Sequence, residues 1–295
     1  MKNNIKDHIA SILSVIIALA VSFLSTNNVL ENQNSDILFL CMFCIFLIHW
    51  LIFIPSFLFK TEKYYDITGT IAYISIILVA LYFIIIVNGE SLSIRSAVST
   101  FLVLIWALRL GIFLLLRVAK AGEDKRFKNV KSSFSKFLMY FTISSLWVFL
   151  TTINFLTMLL HNSILINDAF FFFGLLVWII GFIIEVIADE QKRRFKLNPN
   201  NKGVFISSGL WSYSRHPNYF GEILLWIGMA IISLPVLRGW EFITLISPLF
   251  VYILLTKMSG IPILENQSNE RWGDQSDYQN YKKITPILFP FSKRL

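Results

Sequence analysis

Residues 37–59 read ILFLCMFCIFLIHWLIFIPSFLF, an uninterrupted apolar run with one histidine, His49, and no charged side chain before Lys60. About 20 such residues wound as a helix cross roughly 30 Å of hydrocarbon, so this stretch reads as a transmembrane helix. Similar runs lie at about 9–25, 67–87, 97–119, 137–160, 169–187, 221–237 and 240–258. The last two are short and are separated only by Leu237, Arg238 and Gly239, so they read as a tight helical hairpin or a re-entrant pair. The expectation is an all-α polytopic membrane helix bundle of about eight transmembrane segments (seven to eight), a single integral membrane domain over residues 1–295. Composition agrees: 56% of the 295 residues are hydrophobic and only 15% charged, against roughly a quarter charged in soluble domains.

The basic residues test this layout independently, because Lys and Arg stay on the cytoplasmic side. Of the 26, the alternating segments assigned inside hold 23; Arg95 and Arg238 fall on the opposite loops and Arg109 within a span. Both termini are therefore expected in the cytoplasm, and the protein in an inner (cytoplasmic) membrane as a multi-pass chain. The net charge of +8 follows from that topology and does not call for nucleic acid. Cys41 and Cys44 have CxxC spacing but lie inside the second apolar run, where they read as small apolar side chains. His8, His49, His161 and His216 are scattered without ligand spacing, so no metal site is expected. GxGxxG and Walker loops are absent.

Polar residues inside a membrane sequence are costly and mark functional interior. Arg109 and Arg117 in the fourth run are eight apart, share a helical face, and suit an anionic ligand such as phosphate, though Arg117 can also snorkel to the interface. At the end of the sixth run Glu185, Asp189 and Arg193 follow at i, i+4 and i+8, with Lys192, Arg194 and Lys196 reading as ordinary helix-end charges. The richest stretch is GLWSYSRHPNYFGE, residues 209–222. Pro217 disfavours helix at His216, and Asn218 can cap the helix that follows. The loop gathers Tyr213, Arg215, His216, Asn218, Tyr219 and Glu222 at a membrane surface, more polar chemistry than an interfacial aromatic belt requires. A fourth, weaker cluster comprises SGIPILE (259–265, ending in Glu265), Arg271, Tyr278 and Tyr281. Phe170 to Phe173 read as lipid-facing surface.

In order along the chain, WALRL (106–110), GEDKRF (122–127), ADEQKRRF (188–195), GLWSYSRHPNYFGE, SGIPILE and YQNYKKITP (278–286) resemble the steroid 5-alpha-reductase family, in particular an uncharacterised bacterial membrane branch. The resemblance runs from about Asp66 to Pro290. It implies an NADPH-dependent reductase of a C=C bond in a lipid-like steroid, isoprenoid or other enone, with membrane lipids and an apolar substrate as partners. Residues 185–295 would form the cofactor-binding part and 60–120 the substrate and acid region. By the family's pattern Asn218, Glu222 and Asp189 contact the cofactor, and Arg109 and Arg117 match polar positions of the fourth span. The cofactor set so drawn is Arg109, Arg117, Asp189, Arg193, Tyr213, Arg215, His216, Asn218, Tyr219, Glu222 and Glu265. The family's catalytic Tyr near that Arg has only Trp106 as its nearest aromatic here, and its early-span Glu has no carboxylate counterpart, His49 being the polar residue in the second span. Asp66 is the candidate acid, with Tyr64, Tyr65 and Tyr73 as other donors; Asp66 also reads as a helix cap. The RHPNYFG element also resembles the isoprenylcysteine carboxyl methyltransferases, which implies an S-adenosylmethionine-dependent methyltransferase as the rival enzyme. A non-enzymatic membrane protein is the third alternative.

Overall fold

The computed structural model describes residues 2–26, 35–121, 127–162 and 168–290, without the side chains of 2–4, 35 and 117–121. Every regular element among them is helical: α1 (Lys2–Thr26), α2 (Ser35–Leu58), α3 (Tyr65–Leu81, continuing as a π-helix to Val87), α4 (Ile94–Ala121), α5 (Phe134–Leu160), α6 (Ala169–Leu197), α7 (Pro217–Ser233), α8 (Ile246–Ile253), α9 (Ile261–Trp272) and α10 (Ser276–Ile284). Eight stretches are long and apolar enough to cross a membrane, so the all-α multi-pass architecture holds. The seventh runs over Pro217–Val236 and the eighth over Gly239–Trp272. The eighth is not one smooth helix: a 3₁₀ segment at Gly239–Leu245 leads into α8, then a π-helix at Leu254–Met258, then α9.

The chain divides into two compact units, residues 1–168 with 233–247, and 169–232 with 248–295. In the first unit α5 is the hub, touched by α1, α2, α3 and α4. Within 18-residue apolar windows of the two helices, 83% of α5 is buried against 28% of α1. An enclosed helix gains by bonding its polar side chains, and α5 bonds part of them to its own carbonyls, while Thr151 Oγ1 and Thr157 Oγ1 are buried without a partner among the described residues. Ser145 donates to the Phe141 carbonyl (3.0 Å) and Thr152 to that of Val148 (2.6 Å). His49 of α2 is fully buried against it, Nε2 at 3.2 Å from Ser144 Oγ and Nδ1 at 2.8 Å from the Ile45 carbonyl. α1, by contrast, exposes Ile5, Ile9, Ile12, Ile16, Leu19 and Phe23 in one helical stripe, the surface a lipid-facing helix presents. Phe53, Phe127, Phe137 and Phe141 pack with Val130 in a buried, largely aromatic cluster. The ion pair Arg95–Asp168 (2.7 Å) and the hydrogen bond between His161 Nε2 and Glu241 Oε1 (2.8 Å) tie parts of this unit together.

The second unit rests on the pairing of α6 with α7. Gly174 and Gly181 on α6 meet Gly228 and Gly221 on α7, so the two run antiparallel with backbones in contact. The seven-residue spacing on each helix keeps both pairs in one seam. Within the membrane, where lipid is as apolar as leucine, such close approach supplies the packing that joins helices. Phe170, Phe172 and Phe173 point outward as expected, while Phe171 is buried.

Candidate functional site: a polar cavity in the second unit

The 209–216 loop is held from two directions. α6 grips one side: Trp211 Nε1–H donates to the Ala188 carbonyl (3.0 Å), and the Leu210 amide donates to Gln191 Oε1 (2.9 Å). Gly209 lies at φ +63, a conformation that favours glycine, and a Cβ there would also displace the Gln191 amide from its place. The C-terminal segment grips the other. The Arg215 amide donates to the Pro286 carbonyl (2.9 Å), Ser214 Oγ to that of Leu288 (2.8 Å), and Tyr281 Oη to that of Trp211 (2.6 Å). Burial pushes the Tyr281 phenol up, so it stays a protonated donor. The helix after the loop begins at Pro217, two residues earlier than a cap at Asn218 would place it. Asn218 therefore sits in its first turn and not at its cap, because proline at the first helical position needs no N–H partner. The His216 amide is served instead by Ser214 Oγ (3.2 Å).

Beside this loop lies a cavity of about 160 Å³. Its buried floor is a charge cluster: Glu265 of α9 accepts from Arg215 Nη1 (2.5 Å) and from His216 Nε2 (2.9 Å). Arg215 and His216 are both almost fully buried. Burial lowers the affinity of His216 for a proton, with its hydrogen bond to Glu265 acting the other way, so the imidazole is neutral at pH 7. Its Nδ1, and the Nε of Arg215, are buried without a hydrogen-bond partner among the described residues. Trp211, Phe205, Tyr278 and Tyr281 make aromatic walls, and Lys192 stands 4.4 Å over the Trp211 ring. Lys196 and Arg271 line the exposed mouth, where Trp272 is anchored by its Nε1–H to the Gly203 carbonyl (2.6 Å). The lining thus combines cationic and aromatic side chains with buried polar nitrogens.

Of the site residues expected from the sequence, Arg215, His216 and Glu265 line the cavity together. Tyr219 stacks on His216 with its ring 5.7 Å away and 11° from parallel, and Asn218 is half-buried beside it. Asp189 and Glu222 are buried in the same unit but outside the cavity wall. Tyr213 is 59% exposed. Arg193 is clasped on the surface by Glu190, at 2.6 and 2.7 Å. Arg109 and Asp66 belong to the first unit. Arg109 lies over the Phe113 ring at 5.6 Å, and Asp66 occupies the first turn of α3, whose cap position is Tyr64. Arg117 lies in α4 with its side chain outside the described residues, as do Gly122 to Arg126 of the GEDKRF element. Tyr73 is buried edge-on against Trp106 at 5.3 Å, while Tyr65 is tied into the aromatic cluster and to the Tyr140 carbonyl. Lys192 and Lys196, read from the sequence as ordinary helix-end charges, also line the cavity, as do Phe205 and Trp272, which the sequence did not single out. The signal for the lysines was present: positions 185, 189, 192 and 196 alternate four and three, which tracks one helix face better than 185, 189 and 193.

The family described as "Protein of unknown function (DUF1295)" matches residues 50–285, and the chain belongs to it. This is a steroid 5-alpha-reductase-like family. The chain is 28% identical over 127 residues to 3-oxo-5-alpha-steroid 4-dehydrogenase 1 of Bos taurus, 43% of this chain and 44% of that protein. It is 32% identical over 91 residues to the Delta(14)-sterol reductase of Arabidopsis thaliana, 26% and 25% of the two chains. A probable O-methyltransferase, ustE, of Ustilaginoidea virens is 33% identical over 77 residues, 23% and 27%. The matched region thus spans less than half the length of these curated relatives. No solved structure matches.

Proposed function

We propose that the protein is a membrane-embedded, NADPH-dependent reductase of an activated C=C bond in a lipid-like substrate, an oxidoreductase acting on CH–CH groups. The observation that carries this reading is the cavity of the second unit, with basic side chains at its mouth, aromatic walls and partnerless polar nitrogens on its floor. Those features fit a nucleotide-type cofactor. At about 160 Å³ the cavity is smaller than the roughly 300 Å³ at which whole-ligand sites begin, so it takes part of a dinucleotide. When bound, the nicotinamide supplies the hydride. Lys192, Lys196 and Arg271 would hold phosphate, while Trp211, Tyr278 and Tyr281 would flank a planar ring. Asp189, Arg193, Tyr213, Asn218, Tyr219 and Glu222 belong to the same proposal as further contacts.

In the first unit the proposal assigns anion binding to Arg109 and Arg117 and proton donation to Asp66 or Tyr73. A donor at the substrate carbonyl oxygen stabilises the enolate that develops as the conjugated C=C is reduced, and such a donor must be protonated at working pH. Tyr73 suits this as a buried phenol beside Trp106; Asp66 is only half-buried. The charge bias supports an inner-membrane location with both termini and the cavity on the cytoplasmic side. The names of the bovine and plant relatives support reductase chemistry on a sterol-like skeleton.

The O-methyltransferase likeness supports a second reading, methyl transfer from S-adenosylmethionine. Isothermal titration of the detergent-purified protein with NADPH, NADH and S-adenosylmethionine separates the two. Preference for NADPH, with NADPH oxidation only when an apolar enone lipid is supplied, is the expected result. Binding of S-adenosylmethionine alone, with methyl transfer, overturns it.

A further inference from the structure

The charges of the cavity are not evenly spread. Arg215 at the floor is neutralised by Glu265, and His216 donates its Nε2–H to the same carboxylate. A carboxylate can only accept, so the imidazole proton sits on Nε2 and Nδ1 is a bare acceptor. The depressed proton affinity of His216 agrees with a neutral ring. Arg215 Nε, in turn, is a donor, and both atoms are buried without a partner among the described residues. Buried polar atoms in that state cost free energy until a ligand completes them. The floor thus offers one acceptor and one donor, with no net charge, between aromatic walls. Two further cations, Lys196 and Arg271, stand at the exposed mouth.

Building on the nucleotide reading above, we propose that the floor reads an adenine edge, His216 Nδ1 accepting from the 6-amino group and Arg215 Nε donating to a ring nitrogen, so that the base enters first and phosphate stays at the rim. Adenine presents this donor–acceptor pair on a flat aromatic ring. A phosphate group could satisfy Arg215 but would set a negative charge beside Glu265 and leave no donor for Nδ1. His216 thereby sets base specificity whether the rest of the ligand carries nicotinamide or a methyl donor, and the cations at the rim engage only a ligand that carries phosphate.

The test is equilibrium binding of three probes to the full-length protein in detergent: adenosine 5′-monophosphate, purine riboside 5′-monophosphate, which lacks the amino group, and ribose 5-phosphate. Leaving His216 Nδ1 unpaired should weaken binding roughly tenfold or more between the first two, with ribose 5-phosphate weakest. His216→Phe, which keeps a ring against Tyr219, should bring the adenosine nucleotide down to the level of the purine analogue. Equal affinity for the first two, or ribose 5-phosphate as tight as either, overturns the inference even if the variant fails to fold, because the probe series uses the unaltered protein. If NADPH binds while the two purines are not distinguished, the cofactor reading stands and this inference falls. If neither NADPH nor any adenine nucleotide binds, both fall.

Discussion

Gly181 and Gly221 lie back to back across α6 and α7: a Cβ on Gly181 would stand 2.7 Å from the Gly221 carbonyl oxygen and 2.5 Å from the Leu225 nitrogen. Those are backbone atoms and cannot swing aside, so any side chain must force the helices apart. Gly181→Ala is expected to cost at least about 1–3 kcal/mol, the usual penalty of overpacking. A lowered thermal midpoint in detergent, compared with Gly203→Ala in the open 199–203 turn, would show it. An alanine at Gly203 is strained by the φ of +84 but its Cβ would meet no atom within 4 Å, so that loss should stay smaller.

Glu265 binds Arg215 and His216 at once, and removing its charge leaves a buried guanidinium without its partner. Glu265→Gln should destabilise the protein by on the order of 3 kcal/mol, somewhat less because Glu265 is itself part-exposed. Thermal unfolding measures the loss. An unchanged midpoint would mean that water serves Arg215 in place of the carboxylate.

The pH dependence follows from His216. Burial holds its folded-state affinity for protons below that of a free imidazole, whose ordinary value is 6.5. Below that pH the unfolded chain takes up the proton first, so the stability that the neutral ring contributes is complete above about 6.5 and is lost as pH falls beneath it. Midpoints measured from pH 7.5 down to 5.5 should drop less for His216→Phe than for the unaltered protein.

Asp66→Asn and Tyr73→Phe separate the two proposed proton donors. The variant that removes the true donor should lower turnover far more than it weakens NADPH binding, the mark of a group acting on the transition state. If both variants turn over at the original rate, the donor is neither residue.

For topology, reporter fusions at Asn129, Lys202 and the C-terminus should all read cytoplasmic, and fusions near Glu90 and Trp240 should read the opposite side. A fusion reporting the wrong side would break the alternation on which the charge argument rests.

Eight apolar stretches, the helical class and the family resemblance could be read from the chain itself, because crossing hydrocarbon imposes length and composition on each segment by itself, whatever its neighbours. Arg215, His216 and, more weakly, Glu265 could be singled out as candidates for the same local reason, since charge beside apolar spans is conspicuous. What those groups do for one another was not. That Glu265 neutralises Arg215 depends on α9 returning fifty residues later to the 209–216 loop. That Tyr281 and the Pro286 carbonyl fasten the loop depends on the chain beyond α9 coming back to it. Nor could the sequence separate Arg193, spent on Glu190, from Lys192, turned over Trp211, because neighbours on a helix differ only in the face they present. Apolar length is a property of a segment, but the pairing of buried charges is a property of distances between segments, and only the tertiary structure decides those.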